Sequence, residues 1–344
     1  MMMKVHTNRV SDYDEIVLEN DCGLYLKLTS LGAAIREVRV PNKNGESVTV
    51  TLCPEEEEEY RREYHGKTVG RTAGRIANAE FSIGKRKAVL DKNNFKTDNL
   101  HGGKGALHAR VFDCELVPDT EYTDVVFSYN SPDGECGYFG NVCLKVTYRV
   151  YERENSFRIL YDATTDEPTL LNLTNHVYWN LSGDIGQDVE GHGLYLNSTT
   201  MGELNERLII QKEVPCKREF DFTDDHEIGK FIHSDAVQKH TLGYDHPFKL
   251  DTRSIDDVAA KLSCSFSGIS LYVRTTYPWI VFYSNSQPIV GRKMSCGKLD
   301  KQYLAACLEC QYHADGIHAC PDESGVFTPE KPYHEEILYT FETK

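Results

Sequence analysis

Residues Val142–Arg153 read VCLKVTYRVYER. Val142, Leu144, Val146, Tyr148 and Val150 alternate with residues that tolerate water. A period of two, filled by β-branched and aromatic side chains, predicts a strand with one buried face. The pattern returns in CGLYLKL (Cys22–Leu28), FRILYD (Phe157–Asp162) and GISLYVRTTYPWIVFYSNS (Gly268–Ser286). Asn44-Gly45 and Asp133-Gly134 supply the turn chemistry between such runs. Helical patterns are few: DDHEIGKFI (Asp224–Ile232) and SIDDVAAKL (Ser254–Leu262), the second with Ser254 as N-cap. The strand–helix rhythm of a doubly wound nucleotide-binding sheet does not occur. The fold class read from these runs is all-β. It is a large antiparallel β-sandwich with a few short helices, formed as a single domain over residues 1–344.

Composition narrows the function. A chain of 344 residues can bury a large core without a disulfide or a structural metal. Acidic residues outnumber basic ones, 53 to 38, for a net charge of −15. That balance opposes nucleic acid and anionic membranes as partners. The N-terminal stretch MMMKVHTNRVSDYDEIVLEN lacks an apolar run of signal-peptide length. Eleven cysteines are an odd count for a disulfide framework, so they read as reduced thiols in a cytoplasmic protein. The sequons at Asn172, Asn180 and Asn197 are then incidental. The acidic run PEEEEEYRREY (Pro54–Tyr64) reads as a solvated loop or helical turn carrying acid–arginine pairs. The expected state is a monomer or weak homodimer.

Several motifs suggest chemistry that they do not carry. LHGGKGALH (Leu100–His108) lacks the Gly-Lys-Ser/Thr ending of a phosphate loop, and GRTAGR lacks the dinucleotide spacing. ACLECQYHADGIHAC (Ala306–Cys320) invites a metal reading. Yet YLAACLECQY reads as a strand, and residues 307 and 310 then point to opposite faces. Glu309, sharing a face with Cys307 and Gln311, is the candidate functional group there. NLTNHVYWNLSG (Asn172–Gly183) concentrates His, Tyr, Trp and Asn with little apolar alternation. Paired donors and acceptors beside flat apolar rings suit a sugar. Arg75, His101 and the Asp245-His246-Pro247 turn are further polar candidates. Trp179 and Trp279 are expected in the core.

The order of these blocks is informative. Gly-Arg…Gly-Arg-Ile is followed by Leu-His-Gly-Gly, Asn-His-x-Tyr-Trp-Asn-Leu, Asp-His-Pro-Phe and Leu-Glu-x-Gln. From about Gly23 to Phe341 the series resembles the aldose 1-epimerase (galactose mutarotase) family. The resemblance implies a β-supersandwich with an open sugar cleft, no metal and no organic cofactor. It implies interconversion of the α and β anomers of free aldoses such as glucose and galactose. By motif, Glu309 would be the general base and His176 the general acid, while Arg75, His101, Tyr178 and Asp245 would bind the monosaccharide. Nearby carboxylates are expected to keep His176 charged near neutral pH, ready to donate a proton. The chain departs from the pattern at Gly74, where many members have Asn, and at Val281, where many have Gln. His313-Ala314-Asp315-Gly316 replaces the usual Pro-Asp-Ala. These changes bear on which sugar is preferred. The competing readings are a sugar-binding protein of low turnover on the same fold and a hexose-6-phosphate 1-epimerase, which would need a cationic phosphate clamp.

Overall fold

A computed structural model describes residues 3–184, 186–295 and 297–344. The alternation at Val142 is realised as the strand Val142–Tyr151, whose even-numbered residues are all buried. It pairs antiparallel with Tyr122–Ser131 on one side and Ser156–Thr165 on the other. Gly134, in the left-handed conformation, turns the chain between the first two. These strands belong to a nine-stranded antiparallel sheet. Its far half contains Tyr333–Thr343, Ile269–Thr275 and Ala260–Cys264. Two five-stranded sheets pack with it. One is N-terminal and runs from Lys4–Val10 to Ser47–Thr49, with Asn44-Gly45 in its last hairpin. The other orders Ile210–Pro215, Thr200–Leu204, Asp245–Lys249, Trp279–Tyr283 and Cys307–Gln311 side by side.

One cluster of buried apolar residues extends from Met3 to Phe341 and takes in the inner faces of all three sheets. Fully burying a leucine- or valine-sized side chain contributes about 1.5–3 kcal/mol, so these alternating faces dominate the driving force. Trp179 and Trp279 are both buried.

Helices are short, as expected, but they do not fall where the sequence patterns pointed. In Asp224–Ile232, His226–Glu227 instead pairs as an edge strand with Gly193–Leu194. Ile228–Lys230 makes only a 3-10 turn. Ile228 and Ile232 are both buried, so their i,i+4 spacing imitated a helix, while Gly229 between them removed helix propensity. Ser254–Leu262 is a turn that enters the strand Ala260–Cys264. Ser254 Oγ accepts from the backbone N–H of Asp256 two residues on, which is a serine turn, not a cap. The genuine capped helix is Asp235–Thr241, with Ser234 accepting from Val237 N–H. Within the acidic run, Glu57–Arg62 is helical, with Glu57–Arg61 and Glu58–Arg62 pairs. Tyr60 turns inward from it beneath the Arg36 guanidinium, 3.6 Å from its ring centre.

Candidate active site

The sheet that ends in Cys307–Gln311 divides its residues by parity. Phe248, Ile280, Phe282, Leu308 and Cys310 face the core. In the last three strands the odd-numbered residues lie on the opposite face in three rows, and six of them (Asp245, Pro247, Val281, Tyr283, Glu309 and Gln311) line a cleft. Asp245 pairs with Tyr283, which pairs with Cys307; Pro247 with Val281 and then Glu309; Lys249 with Trp279 and then Gln311. The two cysteines of Cys-x-x-Cys therefore lie on opposite faces, and Glu309 projects between them into the cleft. The cleft holds about 270 Å³.

His176 reaches the same floor from another segment. Thr174–Asn175 pairs with Thr68–Val69. The His176 N–H donates to Lys67 O, and Gly66 N–H donates to His176 O. Gly66 has a φ of +72° and packs against the Ile35 carbonyl, which leaves no room for a side chain. Asn175 donates its side-chain amide to Gly66 O and Tyr148 Oη. The imidazole of His176 stacks on Tyr178 at 5.0 Å, and Tyr178 stacks in turn on His65 at 3.9 Å. The segment joins the cleft sheet through reciprocal backbone hydrogen bonds between Trp179 and Ala306, each 2.9 Å. This seam places His176 Nε2 3.5 Å from Glu309 Oε1.

Arg75 and His101 come from a two-stranded pair, Arg75–Ile76 with Asn99–Leu100. Arg75 extends its guanidinium to Asp245, 3.4 Å away, and to Asn94 Oδ1. His101 Nδ1 accepts from Gly74 N–H, so in the neutral ring Nε2 carries the proton. All six residues singled out by sequence thus meet in one cleft: His176, Glu309, Arg75, His101, Tyr178 and Asp245.

The electrostatics differ from the sequence expectation for His176. Burial outweighs the pull of the Asp245 carboxylate and depresses the imidazole to about 4. His176 is therefore neutral near pH 7, not charged as expected. Burial, reinforced by Asp245 and opposed by Arg75, raises Glu309 to about 8. The proton expected on the histidine resides on the carboxyl. His101 is also held neutral, chiefly by burial.

The metal question moves here from the cysteines. His101, His176 and Glu309 offer ligand atoms all within 4.8 Å of one another. Two neutral imidazoles and a carboxylate are a donor set that divalent zinc accepts. A cation there would occupy the space where these three side chains converge.

Sequence reasoning did not single out Gln311, Asn94, Tyr64 or Gln287 as site residues, although all line the cleft. Gln311 is the most telling, because its Oε1 is buried without a partner. The i,i+2 relation to Glu309 was the available signal.

The family model described as aldose 1-epimerase matches residues 14–340. The chain belongs to the aldose 1-epimerase family. It is 31% identical to an aldose 1-epimerase of Haemophilus influenzae, over 87% of this chain and 86% of that protein. It is 30% identical to a galactose mutarotase of Rattus norvegicus, over 92% of this chain and 91% of that one. The crystal structure of a galactose 1-epimerase from Lactobacillus acidophilus superposes with a TM-score of 0.85 at 26% identity, covering 100% and 99% of the two chains. An aldose epimerase homologue from C. elegans gives 0.84 at 27% identity, with 99% of each chain covered. Aldose 1-epimerases are isomerases, and the antiparallel sandwich described above is the architecture of these neighbours.

For an aldose 1-epimerase family member, the two departures have clear structural counterparts. A Cβ at Gly74 would lie 2.7 Å from the Ala314 Cβ and 3.2 Å from Gln311 Nε2, at a φ of +69°. Ala314, from the altered His313–Gly316 stretch, fills the space that an asparagine side chain would need. Val281 sits between Pro247 and Glu309 and presents only methyl groups to the cleft.

Proposed function

We propose that the protein is an aldose 1-epimerase that interconverts the anomers of free hexoses such as glucose and galactose. The observation that carries the reading is the buried His176–Glu309 pair, 3.5 Å apart on the floor of an open cleft. Arg75, His101, Tyr178 and Asp245 bind the sugar in this reading.

Mutarotation needs a base for the O1 proton and an acid for the ring oxygen, and the pair carries one proton to share. With Glu309 as carboxylate and His176 as imidazolium, Glu309 removes the O1 proton while His176 protonates O5. The C1–O5 bond breaks and leaves an aldehyde, a protonated Glu309 and a neutral His176. The C1–C2 bond rotates. His176 then takes the C5-hydroxyl proton as that oxygen attacks the other carbonyl face, and Glu309 returns its proton to O1. The neutral pair favoured by burial is therefore the form that belongs to the open-chain stage. Each positioned group contributes roughly 10²–10⁴-fold. No step calls for a metal or organic cofactor. The proposal takes residues 1–344 as one domain, a monomer or weak homodimer in the cytoplasm.

Polarimetry on freshly dissolved α-D-glucose or α-D-galactose tests the reading. Wild type is expected to exceed Glu309→Gln by two orders of magnitude or more, and equal rates would leave only a sugar-binding role. Among the described residues lining the cleft, Arg75 is the single cation, and it already faces Asp245. A phosphate clamp is thus poorly supplied. Faster turnover of glucose 6-phosphate than of glucose would overturn that argument.

A further inference from the structure

One wall of the cleft is apolar. From Glu309 the central row runs to Val281 and then Pro247 on successive strands. Beyond Pro247, Gly202 has no side chain, and Ile210 and Pro247 close over it: a Cβ there would meet both at 3.0 Å. Leu204 and Leu208 complete this wall. The row leaves Glu309 on the side away from His176 and crosses further strands at roughly 4.8 Å each. The loop carrying Leu208 is anchored, because Arg207 donates to the buried Asp98 at 2.9 Å. Val281 offers the cleft no hydrogen-bonding group, and at Gly74 the space for a side chain is filled by Ala314.

A hydroxyl pressed against such a wall loses its water and gains no partner. We propose that the preferred substrate is a deoxyaldose, a sugar whose rim presents hydrogen or methyl where it lies over Val281 and Pro247. This rests on the mutarotase reading and specifies its substrate class. Arg75, Asp245 and Gln311 remain for the hydroxylated part of the rim, and the free anomeric hydroxyl stays with Glu309 and His176.

Exchange spectroscopy between the two anomeric proton resonances measures interconversion at equilibrium for any reducing sugar. The panel is D-galactose and D-glucose, each beside its 2-deoxy and 6-deoxy forms. At least one deoxy sugar is expected to exceed its parent in kcat/KM by about tenfold or more, since an apolar pocket discriminates against an added hydroxyl by up to about a hundredfold. Val281→Gln is expected to lower that ratio by improving the parent sugar. Val281→Thr, which keeps the valine outline and adds one hydroxyl, serves if the longer side chain disturbs folding. Parent sugars equal to or ahead of every deoxy form in the wild type would overturn the proposal, and the row would then be a platform for a ring's C–H face. Equal exchange by wild type and Glu309→Gln on every sugar would instead remove the mutarotase reading, and this one with it.

Discussion

Replacing Glu309 with glutamine is expected to cost activity and to add stability, and the second effect tests the electrostatics more sharply. In the folded protein, burial raises this carboxyl from an ordinary 4.5 to about 8. Below pH 4.5 it is protonated in folded and unfolded chains alike. Between those two values the unfolded chain releases a proton that the folded chain keeps. Stability therefore falls as pH rises from 4.5 to 8 and then levels off. At 1.36 kcal/mol per pKa unit the loss is about 3 kcal/mol by pH 7 and approaches 5 kcal/mol above pH 8. Glutamine pays none of it. The depression of His176 is common to both proteins and largely cancels in the comparison. With an unfolding entropy of about 2.1 cal/mol/K per residue, the 344-residue chain converts 3 kcal/mol into about 4 °C. Calorimetry at pH 4.5, 7 and 8 should show the two melting temperatures converging at the acid end, with the variant ahead at the alkaline end. A variant that melts with or below wild type at pH 8 would mean that Glu309 is ionised and well paired in the native state, and the argument from burial would fail.

Three other outcomes follow from the same geometry. The one-proton pair exists between the His176 and Glu309 values, so kcat/KM should plateau between about pH 4 and about pH 8; a basic limb near pH 6.5 would restore the ordinary histidine. Gln311→Leu removes the unpaired buried acceptor and should lower kcat/KM by roughly tenfold, as expected for one lost neutral hydrogen bond, with little change in melting temperature. If Gln311→Leu turns over sugar like wild type, Gln311 does not touch it. Gly74→Ala forces a Cβ against Ala314 at a φ of +69° and should destabilise by about 1–3 kcal/mol; pairing it with Ala314→Gly should recover much of the loss in a denaturant titration.

The sequence revealed most where residues obey a local rule. Period-two alternation located the strands, because a half-buried sheet face requires it. The parity argument separated Cys307 from Cys310 and directed attention to Glu309. The helices were misread because two buried isoleucines at i,i+4 also occur across a strand and a 3-10 turn, and because Ser254 can close a turn as readily as it caps a helix. The charge of His176 was misjudged for a different reason. Nearby carboxylates can be named from motifs, but the depth of burial that outweighs them depends on how Tyr178, His65 and the seam strands close around the ring. Gln311 lay beside a recognised residue, yet only the packing reveals that its acceptor is left unpaired. The apolar wall draws on Gly202, Leu204, Leu208 and Ile210, which belong to a hairpin with no polar motif to attract notice.

The Trp179–Ala306 bonds have a consequence for the timing of synthesis. His176, Arg75, His101, Tyr178 and Asp245 all precede Ala306, the later partner in the seam, while Glu309 lies just beyond it. A ribosome that has translated through the 279–283 strand has produced every one of the six cleft residues except Glu309, which completes the proton pair proposed above. The strand Trp279–Tyr283 meanwhile waits with an unpaired edge for Cys307–Gln311. Contacts of such long sequence separation form slowly, and an exposed strand edge is a site for misassociation. Catalytic competence should therefore emerge as one of the last events in the chain's maturation, together with the protection of that edge.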